Sequence, residues 1–194
     1  ALSSMQDAAR FILVHLVMPA WLLAGVADWA CHRRAGLEHT TGLKESLLHL
    51  LMVAQMGLGA LTAIFLEMTS AVLLLLMVLL AAHALTSHWD LHYASGRRKV
   101  SALEQSVHAY LEALPLAALA LLAASHWPQV TAIFGASASQ PDWRWTWKSD
   151  SLPAPVIALL LAASAVFGFA PYAEELYRCL KVRGAGTELE KLKT

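Results

Sequence analysis

Residues 46–85 read SLLHLLMVAQMGLGALTAIFLEMTSAVLLLLMVLLAAHAL. As one helix rising 1.5 Å per residue, this run would be about 60 Å long, twice the roughly 30 Å hydrocarbon core of a bilayer. It must therefore turn back on itself. The available breaks are Gly57-Leu58-Gly59 and Glu67-Met68-Thr69-Ser70. The second is preferred, because residues 45–66 then span about 33 Å, close to one crossing. With the spans near 46–66 and 70–87 placed, further apolar stretches of suitable length lie near 9–27, 105–125 and 154–173. The first is read as a retained helix, since Asp7 and Arg10 make a poor basic leader and no small-residue cleavage site follows.

Composition agrees. Of 194 residues, 58% are hydrophobic and 14% charged, with a mean hydropathy of +0.53. Soluble domains carry about 25% charged residues, so a water-facing surface cannot be built from this chain. The expected fold is an all-α polytopic membrane protein in a single domain over 1–194. It has about five transmembrane helices, four of them an antiparallel metal-binding bundle and one extra. The 14 basic and 14 acidic residues balance, which removes any general attraction for nucleic acid. Cys31 and Cys179 are too few and too far apart for a disulfide scaffold or a CxxC site.

Five spans put the termini on opposite sides. Arg33, Arg34, Lys44, Arg97, Arg98, Lys99, Arg178, Lys181, Arg183, Lys191 and Lys193 fall on one side, and Arg10, Arg144 and Lys148 on the other. The positive-inside rule then predicts the N-terminus outside and a cytoplasmic tail at 178–194, in a bacterial inner membrane. The outer loop, 126–153, contains Trp127, Trp143, Trp145 and Trp147, read as an interfacial aromatic belt.

Ionisable groups in membrane spans are costly and point to function. Here they recur at one spacing: Asp28 and His32, Glu45 and His49, His88 and His92, Glu104 and His108. Positions i and i+4 share a helix face. Antiparallel topology brings all four pairs to the end of the bundle that carries the basic turns. Four imidazoles and four carboxylates would then converge there, enough to hold two metal ions. Glu112, deeper on the same face as Glu104, is the candidate for proton delivery. Asp90 faces away from both His88 and His92 on an ideal helix and is read as an acceptor behind a ligand imidazole, or as solvated. His83 could be a ligand, a relay or a backbone-bonded core group. Glu67 is read as a helix-start carboxylate, and His15, His39 and His126 have no partner at metal-like spacing.

Nitrogen and oxygen donors without thiolate suit iron first, with zinc or manganese as alternatives. In its logic the pattern resembles the ferritin-like di-iron carboxylate proteins, although their Glu-x-x-His spacing of three is four here. His88-Trp-Asp-Leu-His92 is also similar to the HxxxH box of the integral-membrane di-iron hydroxylases and desaturases, although the HxxHH boxes of that group are absent. The resemblance is one of chemical type. It implies an O2-dependent oxidoreductase acting on a small or lipid-like hydrophobic substrate, supplied with electrons by a separate cytoplasmic donor. The alternatives are a zinc-dependent intramembrane hydrolase, a metal-ion transporter and a bis-histidine haem carrier, which use fewer of these groups or a different depth.

Overall fold

The computed structural model describes residues 2–137 and 139–191, with side chains over 4–137 and 139–185. Lys193, and the side chain of Lys191, lie outside the described residues. Every regular element among them is helical, and 81% of the residues are in helices. Five helices are long and apolar enough to cross a membrane: Ser4–Ala35, Leu43–Phe65, Ser70–Ser95, Ala102–Ser125 and Ala154–Ala185, called spans one to five.

The helical hairpin within 46–85 breaks after Phe65 and restarts at Ser70, where the Thr69 hydroxyl caps span three by accepting from the Val72 N–H at 3.3 Å. Gly57 and Gly59 stay inside the helix. Gly36, at φ 63°, ends span one in the left-handed conformation that a side chain would strain. Spans one and five each contain one wide π-helical turn, at Leu13–Val17 and Ser164–Phe169.

The helices close into a ring in the order three, two, five, one, four and back to three. This corrects the expected four-helix bundle with one helix appended. Span five is inserted between spans one and two, which are consecutive in sequence but not packed along each other. The long 126–153 connection carries the chain across the bundle, and hydrogen bonds lace it to the turn between spans two and three. The Glu67 N–H donates to the Thr146 carbonyl at 3.0 Å and the Lys148 N–H to the Phe65 carbonyl at 2.8 Å. Trp127, Trp143, Trp145 and Trp147 are all more than half exposed around this loop.

The polarity of the bundle is the reverse of a soluble domain. Leu23, Leu85, Leu159 and Phe11 face outward, while Asp28, His32, Glu45, His49, Asp90, Glu104 and Glu175 are buried. Apolar surface is stable outside only where the surroundings are apolar too, so the fold is compatible with an integral membrane protein. Its interior is available for chemistry.

Candidate metal centre

Each span contributes to one buried cluster through local helical register. Span one offers Asp28 and His32, span two Glu45 and His49, and span four Glu104 and His108, each pair four residues apart on one face. Span three does not present His88 and His92, which are exposed. Its inward face is His83, Thr86, Ser87, Asp90 and Ala94, so Asp90 takes the central position. The expectation for this helix is corrected by about half a turn. Small and polar side chains line helix contacts inside membranes, and 86, 87 and 90 carry that signal. Span five adds Tyr172 and Glu175, and the turn before span four adds Arg98.

Glu175 ties the cluster together. Its Oε2 accepts from His32 Nδ1 at 2.9 Å and its Oε1 from His49 Nδ1 at 2.7 Å. A carboxylate has no proton to give, so each Nδ1 carries one, and in a neutral imidazole Nε2 is then a bare lone pair. Those lone pairs point at more lone pairs. His32 Nε2 lies 3.5 Å from Asp28 Oδ1 and 3.4 Å from Glu104 Oε1; His49 Nε2 lies 3.4 Å from Asp90 Oδ2 and 3.9 Å from Glu45 Oε1. Neither Nε2 has a hydrogen bond, and neither Asp90 oxygen has one. His108 Nε2 approaches Asp28 Oδ1 to 2.9 Å, while the Tyr172 hydroxyl donates to Asp28 Oδ2 at 3.1 Å.

Apart from the 3.9 Å pair, these separations are of the size that two donors sharing an ion would have. Donor atoms about 2.1 Å from one metal stand about 3.0 Å apart at a right angle and about 3.4 Å apart at the tetrahedral angle. Among the described residues three groups have donors within 4.8 Å of one another: Asp28, His32 and His108; Glu45, His49 and Asp90; and His32, His49 and Glu175; the first and second are the two half-sites that leave the Glu175 hydrogen bonds intact. Glu104 borders the first.

Arg98 lies between the half-sites. Its Nη2 is 2.5 Å from both Glu45 Oε1 and Glu104 Oε1, and its Nε and Nη1 reach the second oxygen of each. Burial works against the guanidinium charge, but Glu104 and Glu45 overcome it and hold the group protonated more firmly than usual. Five buried carboxylates (Asp28, Glu45, Asp90, Glu104 and Glu175) against this one guanidinium leave four negative charges if the imidazoles are neutral. Two divalent cations would balance that charge. Unneutralised, it could not remain in a low-dielectric interior.

No known family model matches the chain, and neither a curated protein nor a solved structure does.

Of the residues expected from sequence, Asp28, His32, Glu45, His49, Glu104 and His108 converge. His88 and His92 do not. Glu112 stands apart from the cluster and is itself exposed; its Oε1 accepts from Ser87 Oγ at 2.5 Å. Glu67 sits at the loop end, where the Ser149 N–H and hydroxyl donate to it, both at 2.7 Å. Sequence reasoning missed Glu175, Tyr172 and Arg98. The available signal was the pair Tyr172 and Glu175, which with Cys179 makes a buried 3–4 spacing at the end of an otherwise apolar span.

Proposed function

We propose that the cluster holds two metal ions, iron first, and that the protein is a membrane-embedded O2-dependent oxidoreductase acting on a lipophilic substrate. The observation that carries this reading is the pair of orphaned Nε2 atoms. Both are fixed from behind by Glu175 and aimed at carboxylate oxygens across a gap of metal-ligand size. Protonating both imidazoles instead would stack two cations face to face, since the rings lie 4.3 Å apart. Ligand histidines characteristically give their other N–H to a carboxylate, which fixes tautomer and orientation.

When bound, such a pair of ions supplies activation of O2. Insertion of one oxygen atom into a C–H bond releases the other as water and takes up two protons and two electrons, the electrons coming from a separate donor. The protein's own part is to orient and to exclude water. An apolar cavity of about 470 Å³ ends on Asp28, His49 and His108, so a hydrophobic substrate reaches the centre without bringing solvent. Ser87 lines this cavity and connects it to Glu112, the proposed proton donor. The basic turns support a cytoplasmic cluster and an outer N-terminus in this reading.

Metal analysis of purified protein tests the proposal, with His49→Ala as the control and Mössbauer and optical spectra as the identity check. Two irons per chain, lost in the variant, are expected. Stoichiometric zinc would move the assignment to a hydrolase, a Soret band to a haem carrier, and no bound metal at all would overturn the reading.

A further inference from the structure

The cavity at the cluster is the lower of two. An upper cavity of about 550 Å³ opens at the loop end among Arg10, Glu67, Lys148 and Asp150. The two share walls at Met18, Trp21, Ala60 and Ile64. Each alone falls within the range of about 300–1,000 Å³ common for small-molecule sites. Together they run along span two from His49 to Ala63, fourteen residue steps or about 21 Å at 1.5 Å per residue.

Small side chains open this space. Gly25, Ala54, Gly57, Ala165 and Gly168 line the lower cavity, and a Cβ added at Gly57 would meet nothing within 4 Å. Gly57 and Gly59, the alternative break for span two, stay helical and line the cavities instead.

Trp21 and His83 are among the polar groups that interrupt the apolar walls. Trp21 Nε1, at the junction, is buried without a hydrogen-bond partner. An indole N–H can only donate, so it calls for an acceptor that none of the described residues provides. His83, 5% exposed, lines the lower cavity, and neither ring nitrogen is hydrogen-bonded, although the Met52 carbonyl lies beside the ring. At the mouth, Arg10 pairs with Asp150 at 2.9 Å and Glu67 takes the Ser149 donors. Lys148 Nζ donates to the Ala63 carbonyl at 2.5 Å and, among the described residues, is the mouth cation without a carboxylate partner. Burial lowers its pKa, and an anionic oxygen beside it would offset that shift.

We propose that the two cavities form one tunnel for a single-chain lipid, its oxygen-bearing head at Lys148 and its chain running past Trp21 to end beside His49 and His108. This assignment rests on the oxidoreductase reading, because it makes the far end of the chain the part presented for oxidation.

Photo-crosslinking of purified protein tests it, using a long-chain fatty acid with a diazirine at the chain end, the same acid with the diazirine beside the head, and the matching alcohols. Chain-end label should fall on residues 50–58 and 161–169, and head-proximal label on 60–68 and 118–126. Gly57→Trp, which fills open space, should cut the chain-end label several-fold and spare the head-proximal one; Gly57→Leu should give an intermediate loss. Lys148→Gln should weaken capture of the acid more than of the alcohol if the head is a carboxylate, and of both equally if it is a hydroxyl. Label spread over outward-facing residues and indifferent to Gly57→Trp would overturn the tunnel. The readout needs no turnover, so a metal-free protein with intact labelling would remove the oxidoreductase reading and leave the tunnel, and the converse result would remove the tunnel alone.

Discussion

The imidazoles of His32 and His49 lie face to face, their ring centroids 4.3 Å apart and their planes 6° from parallel. They come from different helices that are not packed along each other, and Glu175 holds both from the same side. The arrangement fixes two Nε2 atoms in space before any ligand arrives, which is the preorganisation a metal site requires.

Replacing Glu175 by glutamine keeps the shape but not the symmetry. The amide oxygen still accepts from one imidazole, while the amide nitrogen must donate to the other. That histidine is forced to carry its proton on Nε2 and cannot ligate. Metal affinity should fall about 10–100-fold in Glu175→Gln, measured by competition with a chelator, with the helical content unchanged.

Arg98 is the counter-charge of Glu45 and Glu104, and its side chain is 4% exposed. Removing one partner of a buried ion pair costs about 3–5 kcal/mol, because the other charge is left uncompensated. Arg98→Ala should lower the stability of the metal-free protein by about that much, read from thermal unfolding, and divalent metal should recover part of the loss. Arg98→Lys should recover little, since a lysine cannot bridge both carboxylates with a planar fork.

The two exposed histidines of span three should be dispensable. His88→Ala combined with His92→Ala is expected to change stability by no more than about 0.5 kcal/mol, as surface substitutions do, and to leave metal content intact. Asp90→Asn should lower metal content in the same assay. Loss of metal in the histidine variant with retention in Asp90→Asn would contradict the placement.

At the opposite end, docking of the loop should weaken in acid. The Ser149 N–H and hydroxyl, bonding to the Glu67 carboxylate, hold its pKa below the ordinary carboxylate range. A folded pKa lowered in this way gives stability that is present above the ordinary range and lost as the pH falls through it to the folded value. Fluorescence of Trp143, Trp145 and Trp147 should report loop release over that window, and Glu67→Gln should abolish the pH dependence.

Five helices were legible from hydropathy because each long apolar run has one stable solution. Three of the four i,i+4 pairs were legible for the same reason: spacing alone puts Asp28 beside His32, Glu45 beside His49, and Glu104 beside His108. Span three misled because its more conspicuous pair, His88 and His92, lies about half a turn from the face that packs. Packing is chosen by neighbours, and Thr86, Ser87 and Asp90 fit a close interior contact where a wide aromatic such as Trp89 does not. The role of Arg98 was hidden because the positive-inside rule already accounted for a basic turn. Glu175 was hidden because its partners lie more than a hundred residues away, and nothing local says that span five inserts between spans one and two.

Chain order gives that insertion a consequence for assembly. Every member of the cluster on spans one to four is synthesised before Glu175. Until span five arrives, His32 and His49 have no acceptor at Nδ1, and either nitrogen of each ring is free to hold the proton. The last helix therefore acts as a latch: it selects the tautomers, and a nascent chain stopped after Ser125 would have the carboxylates and imidazoles of spans one to four but not the orientation that makes them a site.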